Sequence, residues 1–275
     1  LFPSASLKHQ IGKLHTLNVA YSRRLTRPVF TELIPNFYIT DPNTYYVGNI
    51  ALKPAYNSSL RAGYAFKGAY FFWLGYGRER DVINKHQPVT YPGRPELIHI
   101  TQNFDRSDVV SVEVTFPLTL ASWWKVQNNL AGYYRSSKSQ FDIGPFSQRI
   151  YYGNVNSVHT FNLGNHWTAE LNALYLPLIP AGVMNLRSRT NVTAGIQKVL
   201  PNNKGTLRLN ISDIFWTNSL RWYTTFSTQQ FDFQAKMKFE PRIVKLTYSR
   251  SFGNQKVKTT RQRRGAEEER GRVQF

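Results

Sequence analysis

The chain has no cysteine, two methionines in 275 residues, and no apolar run near the roughly 18 residues that a membrane helix needs. Without cysteine there is no disulfide framework, no zinc-finger spacing and no thiol nucleophile. Acid is scarce as well. Sixteen Asp and Glu face 35 Lys and Arg, giving a formal net charge of +19. In a soluble protein such a surplus points to nucleic acid, so a soluble basic β-protein that binds nucleic acid is one reading to test by where the charges fall. Leu1-Phe2-Pro3-Ser4 is not a charged leader followed by an apolar core. The chain opens inside what reads as a strand, so residue 1 is expected to be a cut point, with any signal or N-terminal domain upstream.

Catalytic patterns are missing too. His9, His15, His86, His99, His159 and His166 have neither HExxH nor facing-ligand spacing. There is no P-loop, dinucleotide fingerprint or nucleophile elbow. No enzyme activity, cofactor or metal is therefore expected. Glu113 and Glu170 fall on polar strand faces, where lining a wet lumen is a better account than acid–base work.

What is present is a period of two. From Val109 to Leu120, one parity holds Val110, Val112, Val114, Phe116, Leu118 and Leu120, and the other holds Ser111, Glu113, Thr115, Pro117 and Thr119. Successive strand side chains point to opposite faces, so this segment has one apolar and one polar face. The pattern recurs at Leu60–Phe66, Trp167–Tyr175, Val192–Ile196 and Val244–Phe252. Asn128, Asp213 and Arg250 break it, and Asp213 is expected to mark a bulge.

Connections alternate in length. Short turns fall at Ile11-Gly12-Lys13, Lys67-Gly68, Ala121-Ser122, Gly164-Asn165 and Pro201–Gly205. Longer linkers are expected at about Leu25 to Ala55, Asp81 to Phe104, Ser136 to Gln148, Pro177 to Leu186 and Thr217 to Arg242. Tight turns on one side and long loops on the other are the signature of an outer-membrane barrel, whose strands of about ten alternating residues keep mean hydropathy low, here −0.43. Trp123, Trp124 and Trp167 follow short turns, while Tyr21, Tyr76, Tyr134 and Tyr175 lie towards the far strand ends, as two interfacial girdles would. The expectation is an all-β, antiparallel transmembrane β-barrel. Counting segments gives about eleven strands, an odd number, which fits the C-terminal portion of a larger barrel of about 22 strands. Residues 1–253 are assigned to that barrel portion and 254–275 to a charged periplasmic tail. In the tail Lys256, Lys258, Arg261, Arg263, Arg264, Arg270 and Arg272 oppose Glu267, Glu268 and Glu269.

Several strings resemble the outer membrane protein β-barrel family of Bacteroidetes, which is allied to TonB-dependent receptors. Tyr21-Ser22-Arg23-Arg24-Leu25-Thr26-Arg27-Pro28 is similar to the family's YSRR-x-x-RP strand end. Asp41-Pro42-Asn43-Thr44-Tyr45, Gly48-Asn49 and Leu52-Lys53-Pro54 are similar to its DPxTYxxGNxxLKP loop. Ile211-Ser212-Asp213-Ile214-Phe215 and Ser251-Phe252-Gly253 resemble segments of the last two strands, and the charged tail also fits. The resemblance implies an energised importer of a siderophore, vitamin, glycan or peptide, with a plug domain and a TonB-contact segment lying N-terminal to this sequence. It leaves room for a surface lipoprotein partner. A structural or adhesive barrel without transport is the alternative, separated from import by whether a plug precedes residue 1.

With short turns placed in the periplasm, Arg23, Arg24, Arg78, Arg80, Arg106, Arg135, Arg149, Arg187, Arg189 and Arg242 fall near outer strand ends, and Lys13, Lys67, Lys125, Lys198 and Lys204 near the turns. Exclusion of charge from the membrane band places cations at strand ends of either kind. It does not explain the sorting by residue type. Guanidinium pairs bidentately with phosphate, so the ten arginines are candidate contacts for outer-membrane lipid, lipopolysaccharide or an anionic ligand at the mouth. Cations spread over many strand ends, with no single basic patch, argue against nucleic acid.

Overall fold

The computed structural model describes residues 1–89, 96–141, 144–202, 204–224, 234–240 and 242–250. The period-two segments are strands, the last of them as far as Ser249, with Ser251 and Phe252 outside the described residues. In chain order these are β1 (Ser4–Ile11), β2 (His15–Thr26), β3 (Phe37–Asp41), β4 (Thr44–Val47), β5 (Ala55–Phe66), β6 (Tyr70–Val89), β7 (Leu97–Ala121), β8 (Trp124–Phe141), β9 (Gly144–Gly164), β10 (Trp167–Ala181), β11 (Met184–Leu200), β12 (Gly205–Ile211), β13 (Leu220–Thr224), β14 (Gln234–Met237) and β15 (Val244–Ser249). The one helix among the described residues, α1 (Phe30–Leu33), is a single turn.

Eleven of these strands make one continuous antiparallel path, β1-β2-β5-β6-β7-β8-β9-β10-β11-β12-β15. That is the number the alternation predicts. The other four lie at the long-loop end. β3 pairs with β4, β4 runs parallel to the far end of β7, and β13 pairs with β11 and β14. The charged tail lies outside the described residues.

At the short-turn end the strands are joined tightly. Asn165 and His166 both take positive φ, 48° and 65°, as a two-residue turn between right-twisted strands requires. The other end differs from the expected long linkers. β8 and β9 stay paired out to Phe141 and Gly144, and β10 and β11 out to Ala181 and Met184. Segments that read as linkers are hairpins extending past the apolar band. Beyond the band no apolar parity is needed, so the alternation fades while the ladder continues.

Asp213 marks a turn and not a bulge. β12 ends at Ile211, and Asp213 takes φ 44°. Its buried carboxylate accepts the Thr217 and Asn218 amides at 3.0 and 3.2 Å. The turn leaves part of β11 without a strand beside it, and its carbonyls find other donors: Ile214 N on Val192 O, Thr217 Oγ1 on Thr190 O and Arg221 Nη2 on Ser188 O. Backbone acceptors half-buried at a ladder break need such partners. Asn128 is accommodated differently. It faces outward and accepts Ser157 Oγ at 2.9 Å; Ser157 also bonds His159, which accepts Trp124 Nε1 at 3.1 Å.

The path curls. Three strands separate β6 from β10, which in a flat sheet is about 19 Å at the usual strand spacing. Yet Gln87 of β6 accepts the amide of Val183, beyond the end of β10, at 2.8 Å. Pro180 and Gly182 lie over Ser107, Arg135, Ser137 and Gln148, so the tips lean across the polar face, which is the concave one.

Candidate functional site

Opposed residues of antiparallel neighbours point to the same face, so the register sorts every side chain. One outward row reads Tyr21, Leu60, Tyr76, Val110, Tyr134, Tyr151 across β2 and β5 to β9. The next two, towards the short turns, read Val19, Ala62, Leu74, Val112, Gly132, Gly153 and then Leu17, Tyr64, Phe72, Val114, Leu130, Val155. Leu60, Leu74, Val110 and Val155 are each more than 40% exposed, an apolar surface that water would not tolerate at this extent. On β7 the outward apolar residues run from Val110 to Leu120. Ten residues at about 3.3 Å each, tilted by about 40°, cover roughly 25 Å, the height of a barrel's apolar band. Trp123, Trp124 and Trp167 border it at the short turns. Tyr21, Tyr76 and Tyr134 share a row at the far side, whereas Tyr175, opposite Val155, sits two rows nearer the short turns.

The inward rows are polar. Gly63, Trp73, Glu113, Ala131 and Asn154 form one, and Arg61, Gly75, Ser111, Tyr133 and Tyr152 the next. Arg61 reaches Glu113 at 2.8 Å and lies 5.1 Å from the Trp73 ring centre. Trp73 packs against bare Gly63, where a Cβ would strike its six-membered ring. Farther round, Asn156, Asn172, Asn191, Arg135 and Arg189 line the same face.

At the long-loop end the hairpins converge. Asp81, with φ 52°, turns the β6–β7 extension out of the wall. There side chains replace the β7–β8 ladder: Asp105 Oδ2 accepts Gln140 N at 2.9 Å, and Asp105 N donates to Ser139 Oγ at 3.3 Å. The extension packs Phe104 and Val82 against Phe146, Val183 and Met184, with Phe141 and Trp222 at the edge. Asn49 pins the β2–β5 loop to it, donating Nδ2 to Thr101 O at 3.1 Å and accepting Ala51 N at 2.9 Å. Lys53 N donates to Asn103 Oδ1 at 2.8 Å. Glu32 of α1, itself buried, is ion-paired with Lys85. These bonds give a physical reason for the Gly48-Asn49 and Leu52-Lys53-Pro54 strings. Between the hairpins is a cavity of about 490 Å³, lined chiefly by Tyr46, Ile83, His99, Met184, Trp222 and Met237, with His99 stacked on Tyr46 at 4.8 Å.

The register divides the ten arginines between the faces. Arg23, Arg78, Arg80, Arg106 and Arg149 point outward; Arg24, Arg135, Arg187 and Arg189 point inward. Arg242 precedes β15 and donates Nε to Ile214 O at 3.1 Å. Height alone does not separate the faces; the period-two parity is the signal that does, since Arg23 and Arg78 follow Tyr21 and Tyr76 by two residues, whereas Arg24 and Arg135 fall on the other parity. Gln87, His99 and the Arg61–Glu113 pair carried no motif at all. Their partners lie far away in sequence.

The model of the outer membrane protein β-barrel family matches residues 1–250. Among solved structures, the siderophore receptor PirA from Pseudomonas aeruginosa superposes with a TM-score of 0.55 at 16% identity, over 79% of this chain and 39% of that one. A single-residue mutant of the ferric enterobactin receptor PfeA of the same organism, in complex with enterobactin, superposes with a TM-score of 0.51 at 18% identity, over 80% of this chain and 35% of that one. The chain thus spans well under half the length of these receptors, and the likeness is one of fold. No curated protein matches. With a sheet of outward apolar rows, an inward polar wall and a family match over nearly its whole length, the chain belongs to the outer membrane protein β-barrel family.

Proposed function

We propose that this chain forms the C-terminal part of the barrel of an energised outer-membrane importer. In this reading the full barrel has about 22 strands, a plug fills it, and a segment N-terminal to this sequence contacts TonB. Short turns and the tail 254–275 face the periplasm, and the converging hairpins face outside. The observation that carries the reading is the mouth, where hairpins from four parts of the chain meet over a polar wall and enclose an apolar cavity. A barrel of purely structural role has no need of such a cap. Its ligand meets Tyr46, His99 and Trp222 first, and the inward Arg135 and Arg189 below them would suit an anionic cargo. The siderophore receptors of like fold support cargo of that class, and vitamins, glycans and peptides are further candidates. A surface lipoprotein could complete the cap.

Uptake in cells producing the full-length protein, compared with a deletion strain, tests the proposal. Labelled ferric catecholate, cobalamin and oligosaccharide serve as probes. Accumulation of one of them that needs both the protein and the proton gradient is the expected result. Equal accumulation of all three in both strains, or uptake indifferent to a protonophore, would sink it. Cysteine labelling from outside at Asn43, but not at Lys67, checks the orientation.

A further inference from the structure

The outward arginines are not scattered. In the row next beyond the tyrosines, the register aligns Arg23, Ser58, Arg78, Asp108, Ser136 and Arg149. The following row aligns Leu25, Tyr56, Arg80, Arg106, Lys138 and Ser147. Successive outward positions are about 7 Å apart along a strand. At a tilt of about 40° the cations stand roughly 5 and 10 Å higher than the tyrosine-row position of their own strand, towards the lipid headgroups and away from the acyl chains.

These two rows hold six cations and one carboxylate. Asp108 takes Arg78 Nε at 2.8 Å, Arg106 Nε at 2.6 Å and the Tyr76 hydroxyl at 2.7 Å. It orients two guanidinium groups without neutralising the patch. Arg80 and Arg149 have no carboxylate partner among the described residues. Arg23 lies over the Tyr56 ring at 5.7 Å, which leaves the guanidinium edge for an acceptor. Arg23, Tyr56, Ser58, Arg78 and Arg80 line an outward cavity of about 160 Å³, several times the roughly 30 Å³ of one water. Apolar surface starts directly beneath: Leu60 and Val110, in the tyrosine row, are both nearly half exposed.

From this arrangement we infer a binding site for a phosphorylated glycolipid headgroup on the outer face of β2 and β5 to β7. Arg23, Arg78 and Arg80 hold a phosphate, the Ser58 hydroxyl donates to it, and acyl chains lie along the Leu60–Val110 surface. Arginine suits the task because its planar fork binds two phosphate oxygens at once. The inference rests on the long-loop end facing outside, since the leaflet there carries phosphorylated glycolipid.

Full-length protein extracted from outer membranes into detergent provides the test. Bisphosphorylated lipid A, dephosphorylated lipid A and inorganic phosphate are titrated and bound lipid is counted by native mass spectrometry. The double variant R23Q/R80Q should lose about tenfold or more in affinity for the bisphosphorylated lipid, while Asp108→Asn should gain affinity. The inward pair R24Q/R187Q should leave it unchanged. Equal binding of dephosphorylated lipid, equal loss in the inward variant, or inorganic phosphate competing at concentrations near those of the lipid would each overturn the site. Native gel mobility and heat-modifiability confirm that each variant is folded. Failure here with outside labelling at Asn43 intact refutes this site alone. Labelling from the periplasmic side refutes the orientation beneath it.

Discussion

Val155 and Asn154 are chain neighbours on β9 that meet different solvents. Val155 joins Leu17, Tyr64, Phe72, Val114 and Leu130 on the outward apolar face; Asn154 joins Trp73 and Glu113 on the inward polar one. Both faces are thinly packed, and fully buried side chains are few. What separates the faces is therefore not burial within the protein but what fills the space beside them. β9 is paired along both edges, by β8 and β10, so its backbone is satisfied and the side chains alone report the surroundings.

One substitution, placed on either side, breaks or confirms that comparison. Val155→Arg should destabilise the barrel by about 2–4 kcal/mol, the cost of a cation near the middle of the band. Asn154→Arg should cost under about 1 kcal/mol, because its side chain stays wet. Urea unfolding in lipid bilayers, followed by tryptophan fluorescence, measures both. Equal losses would show that the faces are wrongly assigned.

The cap tests a different contrast, between wall and mouth. Gln87 is almost wholly buried, donating Nε2 to Lys85 O at 2.7 Å and accepting the Val183 amide. Gln87→Ala leaves that amide without its acceptor, a loss of about 1–3 kcal/mol when the site stays dry. Hydrogen exchange at Val183 should speed up by roughly tenfold or more, with exchange in the band strands unchanged. Gly182→Ala should act the same way, since φ is +70° and its Cβ would meet the Gln87 amide. If exchange at Val183 is unmoved by both, the tips are not locked together.

How much of this was legible beforehand depends on what each signal measures. Period-two patterning reports solvent on two faces, so the band segments and the number of strands in the path were readable from residues such as Val110 to Leu120, and Tyr21, Tyr76 and Tyr134 of the outer girdle with them, though not the level of Tyr175. Past the band no lipid face imposes an apolar parity, and burial there follows contacts between hairpins, as at Gln87 and Phe104, so Asp81 to Phe104 read as a linker although most of it is ladder. Asp213 was visible as a misfit, but a misfit residue does not say whether the strand bulges or stops. The answer lies in the Thr217 and Asn218 amides, four and five residues on. Asp213→Asn keeps the shape and gives up one charged acceptor, so about 1 kcal/mol of local stability should go. The readout is faster exchange at those two amides.

The smallest effect belongs to the inward ion pair, and its size is informative. Arg61 and Glu113 are 2.8 Å apart with side chains 46% and 32% exposed. In an interior open to water such a pair is screened, and double-mutant cycles of comparable pairs give about 0.2–1 kcal/mol. Arg61→Gln, Glu113→Gln and the double variant should therefore show a coupling within that range, shrinking further at high salt. The same cycle in a dry interior would give several times more, because two charges cut off from water must satisfy each other. A coupling above about 2 kcal/mol would mean that this stretch of wall is sealed from water. The pair would then be a contact surface for something packed against it, and the outward and inward faces would differ by lipid against protein rather than by lipid against water.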